Sequence, residues 1–308
     1  MLDARYPPPV AALLTIGNER QLQPPPEITE PMPTFEEMRA QMEVIQNRKS
    51  EPEPLRSNNW PDYLQFGIRP EHLPDLLAMI TDESLSNGDL DSPEAWASLH
   101  AWRAIGHLRA TEAIEPLVGL LDELEDWDYW NEEVPYVFGL IGPAAPPALA
   151  TFFLDPSHLM YARVTAGNAI AVIGRMHPET RERCIAILTE GLAAYTENDP
   201  SFNALVSTML LDLEAVEALP TIKQAYDADA ADLAVMGDYE DIEIAFGVRT
   251  ERDTPRPRYN PLGFDLPDLL ERVIAEEDRA VRRRTTDKKE KNKQKMADKS
   301  RKKNRKKK

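Results

Sequence analysis

The sequence predicts an all-α fold, an α-solenoid of about five helical hairpins with an extended N-terminal arm and a disordered basic C-terminal tail. Three observations predict it. Between Trp60 and about Gly247 apolar residues recur at helical spacing, and turn marks at Gly67, Gly106, Gly142, Gly174 and Leu211 lie 39, 36, 32 and 37 residues apart. Four second helices align around a proline, at Pro74-Asp-Leu-Leu, Pro116-Leu-Val-Gly, Pro147-Ala-Leu-Ala and Pro220-Thr-Ile-Lys. Proline suits a helix's first turn, where its missing N–H leaves no bond unmade. Thr111-Glu-Ala-Ile-Glu and Val216-Glu-Ala-Leu-Pro repeat one entry into the second helix. Self-similarity at this period means stacked supersecondary units, because one helical pair cannot bury its apolar face alone.

Four segments follow. Residues 1–54 form a Pro-rich arm with one short helix and a linker. The runs Pro7–Pro9 and Pro24–Pro26 favour extended backbone, and Thr34-Phe-Glu-Glu37 has capping-box spacing, with Phe35, Met38, Met42 and Ile45 on one face. The arm is either a docking peptide or a strap across the body. Residues 55–247 hold the repeats. Residues 248–278 form a capping segment, with an amphipathic helix from Phe264 that presents Leu269, Leu270, Val273 and Ile274. Residues 279–308 form the disordered Lys/Arg-rich tail.

Charge divides the chain. The net charge of −17 combines +14 from residues 279–308 (17 basic, 3 acidic) with −31 from the other 278 residues (19 basic, 50 acidic). The tail, with Arg282, Arg283, Arg284, Lys302, Lys303, Arg305, Lys306 and Lys307, is expected to attract nucleic acid or an acidic surface, its own body included, with salt-sensitive affinity. No aromatic follows Phe264, so sequence-specific reading of single strands is not expected. A hydrophobic fraction of 42% suffices for a core, while no apolar run approaches the roughly 20 residues of a membrane span. A cytoplasmic protein without membrane association is expected. One cysteine, Cys184, excludes an intramolecular disulfide and a multi-thiolate metal site.

Tyr161-Ala-Arg-Val-Thr-Ala-Gly-Asn-Ala-Ile-Ala-Val-Ile-Gly174 and Ala101-Trp-Arg-Ala-Ile-Gly-His-Leu-Arg-Ala-Thr-Glu-Ala-Ile-Glu-Pro-Leu117 resemble the short HEAT-like repeats named after phycobilisome lyases. The resemblance covers roughly residues 60–230 and implies right-handed stacking of HEAT-like hairpins. It leaves function open, since such repeats serve in bilin lyases and in adaptors. An acidic insertion and the two terminal arms depart from the minimal repeat.

Candidate sites are few. His100, Arg103 and His107 share a face if the helix from Pro93 continues past Gly106; they form either a functional polar patch or side-chain bonds to an inter-helix turn. Between Asp122 and Glu133, carboxylates interleave with aromatics. Glu125, Asp126, Trp127, Asp128, Trp130, Glu132 and Glu133 suit a cationic protein partner through charge-assisted bonds and cation–π contacts. The alternative is that the tryptophans plug a repeat junction while the acids face water. Asp238-Tyr-Glu-Asp-Ile-Glu243 reads as a solvated cap. Cys184 is either an activated thiolate or a small buried hydrophobe. No phosphate loop, nucleophile elbow or His-Glu-x-x-His helix occurs, and no catalytic residue, metal or cofactor is expected. The expected function is a non-enzymatic protein-interaction scaffold or adaptor for a protein or peptide. Alternatives are a phycobilin lyase-like chromophore chaperone and an RNA- or ribosome-associated factor binding through the tail.

Overall fold

Every regular element among the described residues of the computed structural model, 5–17, 60–86 and 92–255, is a helix. The α-helices are α1 (Pro8–Ala11), α2 (Leu73–Ile80), α3 (Glu83–Ser86), α4 (Ala97–Leu108), α5 (Ile114–Gly119), α6 (Asp128–Ile141), α7 (Pro146–Leu154), α8 (Met160–Met176), α9 (Arg181–Ala193), α10 (Pro200–Asp212), α11 (Leu219–Asp227), α12 (Leu233–Met236) and α13 (Tyr239–Ala245). All belong to one compact unit that runs to Arg256. No helix among these residues is long and apolar enough to cross a membrane.

From α4 onward the helices lie in two rows. In one, α4, α6, α8 and α10 pack each on the next; in the other, α5, α7, α9 and α11 do the same, and α8 bridges to α7 and α9. The sequence repeat explains the second row. Thr111–Ala113 and Val216–Ala218 each make a single 3-10 turn leading into α5 and α11, and each follows a left-handed residue, Arg109 at φ 51° and Glu214 at φ 50°. Prolines stand in the first turn of α2, α7 and α11.

The turn marks need correction. Gly67 and Gly142 do end helical segments with positive φ, but Gly106, Gly174 and Leu211 lie inside α4, α8 and α10. The register that matches Gly106 is Gly139, three residues before Gly142. These glycines serve close approach between neighbouring helices rather than turning. A Cβ at Gly106 would lie 3.3 Å from the Cα of Val137, and one at Gly139 would lie 2.5 Å from Met176 Sδ.

The arm also differs from expectation where it is described. Pro8 and Pro9 start helix α1 instead of extending the chain, because proline's fixed φ fits a first turn as well as polyproline. Val10, Ala11, Leu13 and Leu14 are buried in the core, and Arg5 and Tyr6 both bond Asp82, at 2.7 and 2.8 Å. This segment is a strap. The expected helix at Thr34, the one at Phe264 and the whole basic tail lie outside the described residues.

At the other end, Asp238-Tyr-Glu-Asp-Ile-Glu243 is ion-paired. Arg252 binds Asp238 at 2.6 Å and Asp241 at 2.8 Å, and Arg249 binds Glu243 at 2.7 Å. Hydrogen bonds from Arg252 hold the Asp238 carboxyl below the usual carboxylate range.

Candidate functional site

Helix α4 runs through Gly106 and so does carry His100, Arg103 and His107 on one face. They converge on Tyr63. Its hydroxyl lies 2.7 Å from His100 Nδ1 and accepts from Arg103 Nη1 at 3.4 Å, while its backbone N–H donates to His107 Nδ1 at 3.4 Å. His100 Nε2 lies 2.9 Å from the carbonyl of Gly17. A carbonyl can only accept, so Nε2 carries the proton; in the neutral ring Nδ1 then accepts and Tyr63 donates. The chain Arg103 to Tyr63 to His100 to Gly17 is thus satisfied at every link and ties the strap to α4. Burial, seconded by the Arg103 charge, lowers the His100 pKa to about 4, and burial lowers that of His107.

Arg103 also reaches α6. Its Nε and Nη2 both donate to Glu133 at 2.7 Å, and Trp102 Nε1 donates to the same carboxylate at 3.2 Å. Burial alone would lower the Arg103 pKa, but Glu133 outweighs it and the guanidinium stays charged. The three candidates on α4 are therefore bonded within the fold; of their partners, Tyr63 and Gly17 were not singled out from the sequence, whereas Glu133 was, as part of the acidic–aromatic surface.

That pairing removes much of the acidic–aromatic surface. Glu133 and Trp130 are buried, and Trp127 and Trp130 pack edge-on against Trp102 with centroids 4.9 and 5.4 Å away. Glu125 is half-buried and committed to backbone. Helix α8 has no side-chain cap of its own at Leu159; Asp122 accepts from the Leu159 N–H at 3.0 Å and Glu125 from the Tyr161 N–H at 2.8 Å. Asp122 further holds His158 at 2.7 Å, and the His158 ring stacks on Phe152. The insertion thereby caps the next helix of its row. Asp126, Asp128 and Glu132 alone of the seven candidates remain exposed.

Glu132 opens onto a different feature. A hollow of about 340 Å³ crosses α6, α8 and the end of α10, lined by Asn131, Glu132, Pro135, Tyr136, Asn168, Ala171, Val172, Arg175 and Asp212. Pro135 sits inside α6 and offers no N–H to the carbonyl of Asn131, one turn back. The Asn131 side chain is committed to Thr165, at 3.0 Å, and to the carbonyl of Glu125. By contrast the Tyr136 hydroxyl, the Asn168 amide and the Arg175 guanidinium, all half-buried, make no hydrogen bond among the described residues. Asp212 stands exposed at the rim; the protein around it raises its carboxyl pKa, and the Arg175 charge opposes that rise. Only Glu132 of this group was a candidate. Asn168 was legible as a polar residue interrupting the apolar run from Thr165 to Ile173.

Cys184 is fully buried, donates weakly to Thr180 and has its pKa raised by burial. Such a thiol is a small hydrophobe and a poor nucleophile. Among the described residues no group of three or more His, Cys, Asp or Glu side chains could hold a metal ion. Comparison with known family models, characterised proteins and solved structures gives no match to this chain.

Proposed function

We propose that the chain is an α-solenoid of HEAT-like hairpins acting as a non-enzymatic protein-interaction scaffold, with the α6–α8–α10 hollow as its docking site. One observation carries this reading. The polar clusters on α4 and in the acidic insertion are spent on holding the fold, whereas Tyr136, Asn168 and Arg175 have no internal duty and face a single hollow. Polar groups converging in a concave site are what a docked chain requires. Two rows of helices packed each on the next also favour a preformed, extended surface over a closed ligand cage. The lyase-like alternative is less favoured, because the one thiol is interior. Association with RNA through the tail depends on residues outside those described.

The test is affinity capture from cell extract on the immobilised full chain, with nuclease treatment, compared with the variant Glu132→Gln/Asn168→Ala/Asp212→Asn. A discrete protein set held by the wild type after nuclease and lost from the variant is the expected result. Capture that ignores the variant but disappears with nuclease would transfer the function to the tail.

A further inference from the structure

We infer that the hollow across α6, α8 and α10 binds a free α-amino acid with a small aliphatic side chain, Arg175 taking its carboxylate and Asp212 its ammonium group. This goes beyond the docking reading: it gives the same open hollow a small ligand, whose presence excludes a docked chain. Arg175 differs from the other arginines of its kind. Of those that are not exposed among the described residues, Arg103 binds Glu133, Arg163 the carbonyl of Phe153, Arg181 that of Leu213, Arg249 Glu243 and Arg252 Asp238. Arg175 alone has neither a hydrogen bond nor an ion pair. A half-buried guanidinium presents five N–H donors that water reaches only in part, so an acceptor from outside completes it.

Asp212 lines the same hollow from the neighbouring helix and is likewise without a hydrogen bond or ion pair among the described residues. The two residues do not bond each other, yet they are close: desolvation raises the Asp212 carboxyl pKa and the Arg175 charge opposes the rise. An unpaired cation and an unpaired anion across one hollow are the complement of a zwitterion. An α-amino acid carries both its charges on one carbon, and each meets its opposite here. A plain carboxylate would serve Arg175 but set a second anion beside Asp212, and a plain amine would do the converse. Two further groups fit. The Tyr136 hydroxyl and the Asn168 N–H groups can donate to the same carboxylate, and the Asn168 carbonyl oxygen can accept from the ammonium. Pro135, Ala171 and Val172 offer only a small apolar floor, which sets the side chain as small and aliphatic. A volume of about 340 Å³ lies at the low end for small-ligand sites, roughly 300–1,000 Å³. Glu132, in the same lining, has an interaction of its own and takes no part.

The experiment is isothermal titration calorimetry of the full chain with valine, at neutral pH and about 0.15 M ionic strength. Two analogues each lack one charge: 3-methylbutanoate has no ammonium group and valinamide no carboxylate. The expected result is saturable binding of valine, with either analogue weaker by about tenfold or more. This comparison uses the wild type and needs no variant to fold. In the variants the losses are expected to cross. Arg175→Gln weakens valine about tenfold and leaves valinamide unchanged or tighter, whereas Asp212→Asn weakens valine about tenfold and leaves 3-methylbutanoate unchanged or tighter. Asn168→Ala is expected to weaken valine about threefold. Wild-type affinity for 3-methylbutanoate equal to that for valine would overturn the ammonium contact, and equal affinity for valinamide the carboxylate contact; either result removes the zwitterion. A variant that weakens valine and both analogues alike would overturn the assignment of its residue to one charge. No binding of valine up to about 10 mM would overturn the site. None of these failures bears on the scaffold reading, which is decided by the proteins captured from extract.

Discussion

His100 makes acid destabilisation of this fold measurable at one residue. Its ring is fully buried between Tyr63 and Gly17, with Arg103 on the same helix and His107 against the same tyrosine, and its pKa is lowered to about 4 from 6.5. In the unfolded chain the imidazole takes up its proton near pH 6.5, while in the folded protein it resists until about pH 4. Between these values the unfolded state binds more protons, so stability falls as pH falls and levels off below pH 4. A difference of this size amounts to about 3 kcal/mol, a large part of a typical domain's stability of roughly 5–15 kcal/mol. His100→Gln keeps an acceptor for Tyr63 and a donor for Gly17 but cannot titrate. Urea unfolding followed by tryptophan fluorescence, for both proteins from pH 7 to pH 4, gives the stability gap between them. Carboxylates common to both proteins cancel in that gap. The wild type is expected to lose about 3 kcal/mol relative to the variant across the range. A gap that stays flat within about 1 kcal/mol would refute the protonation argument.

Other consequences can be checked on the same protein. Glu133→Gln strands the Arg103 charge in the interior and is expected to cost about 3–5 kcal/mol in urea unfolding, whereas the double change Arg103→Met/Glu133→Leu recovers most of it. Gly191→Ala would place its Cβ 2.3 Å from a ring atom of the buried Phe153, and a loss of about 1–3 kcal/mol is expected from thermal melts. Leu13→Ala, in the strap, is expected to cost about 2–5 kcal/mol; an unchanged melting temperature would place the strap off the core. Cys184 is expected to react with a disulfide reagent only as fast as the protein unfolds, which rates in the presence and absence of urea would reveal.

The helical class and the second-helix entries were legible because they are local. The three-residue entry at Thr111 and Val216, and the proline that follows, encode backbone geometry with no distant help. Positions that depend on a neighbouring helix were not. Gly106 and Gly174 looked like stops, since a glycine that permits helix contact and one that turns the chain are written with the same letter. Glu133 looked like surface under either reading of the acidic segment, and Trp130 stood open between a surface aromatic and a plug of the junction; only the packing of α6 on α4 brings Arg103 and Trp102 to them. The hollow escaped notice for a related reason, as its polar residues come from three helices and no single segment holds the pattern.

The strap carries a consequence for synthesis on the ribosome. Helices packed each on the next can form as they emerge, but the contact of Gly17 with His100 spans 83 residues. At roughly 5–20 residues per second, Val10 and Leu13 wait about 4–17 s for their binding surface to be made. During that interval the nascent chain displays a short apolar segment that the finished protein hides, and it is then that a chaperone has access to it.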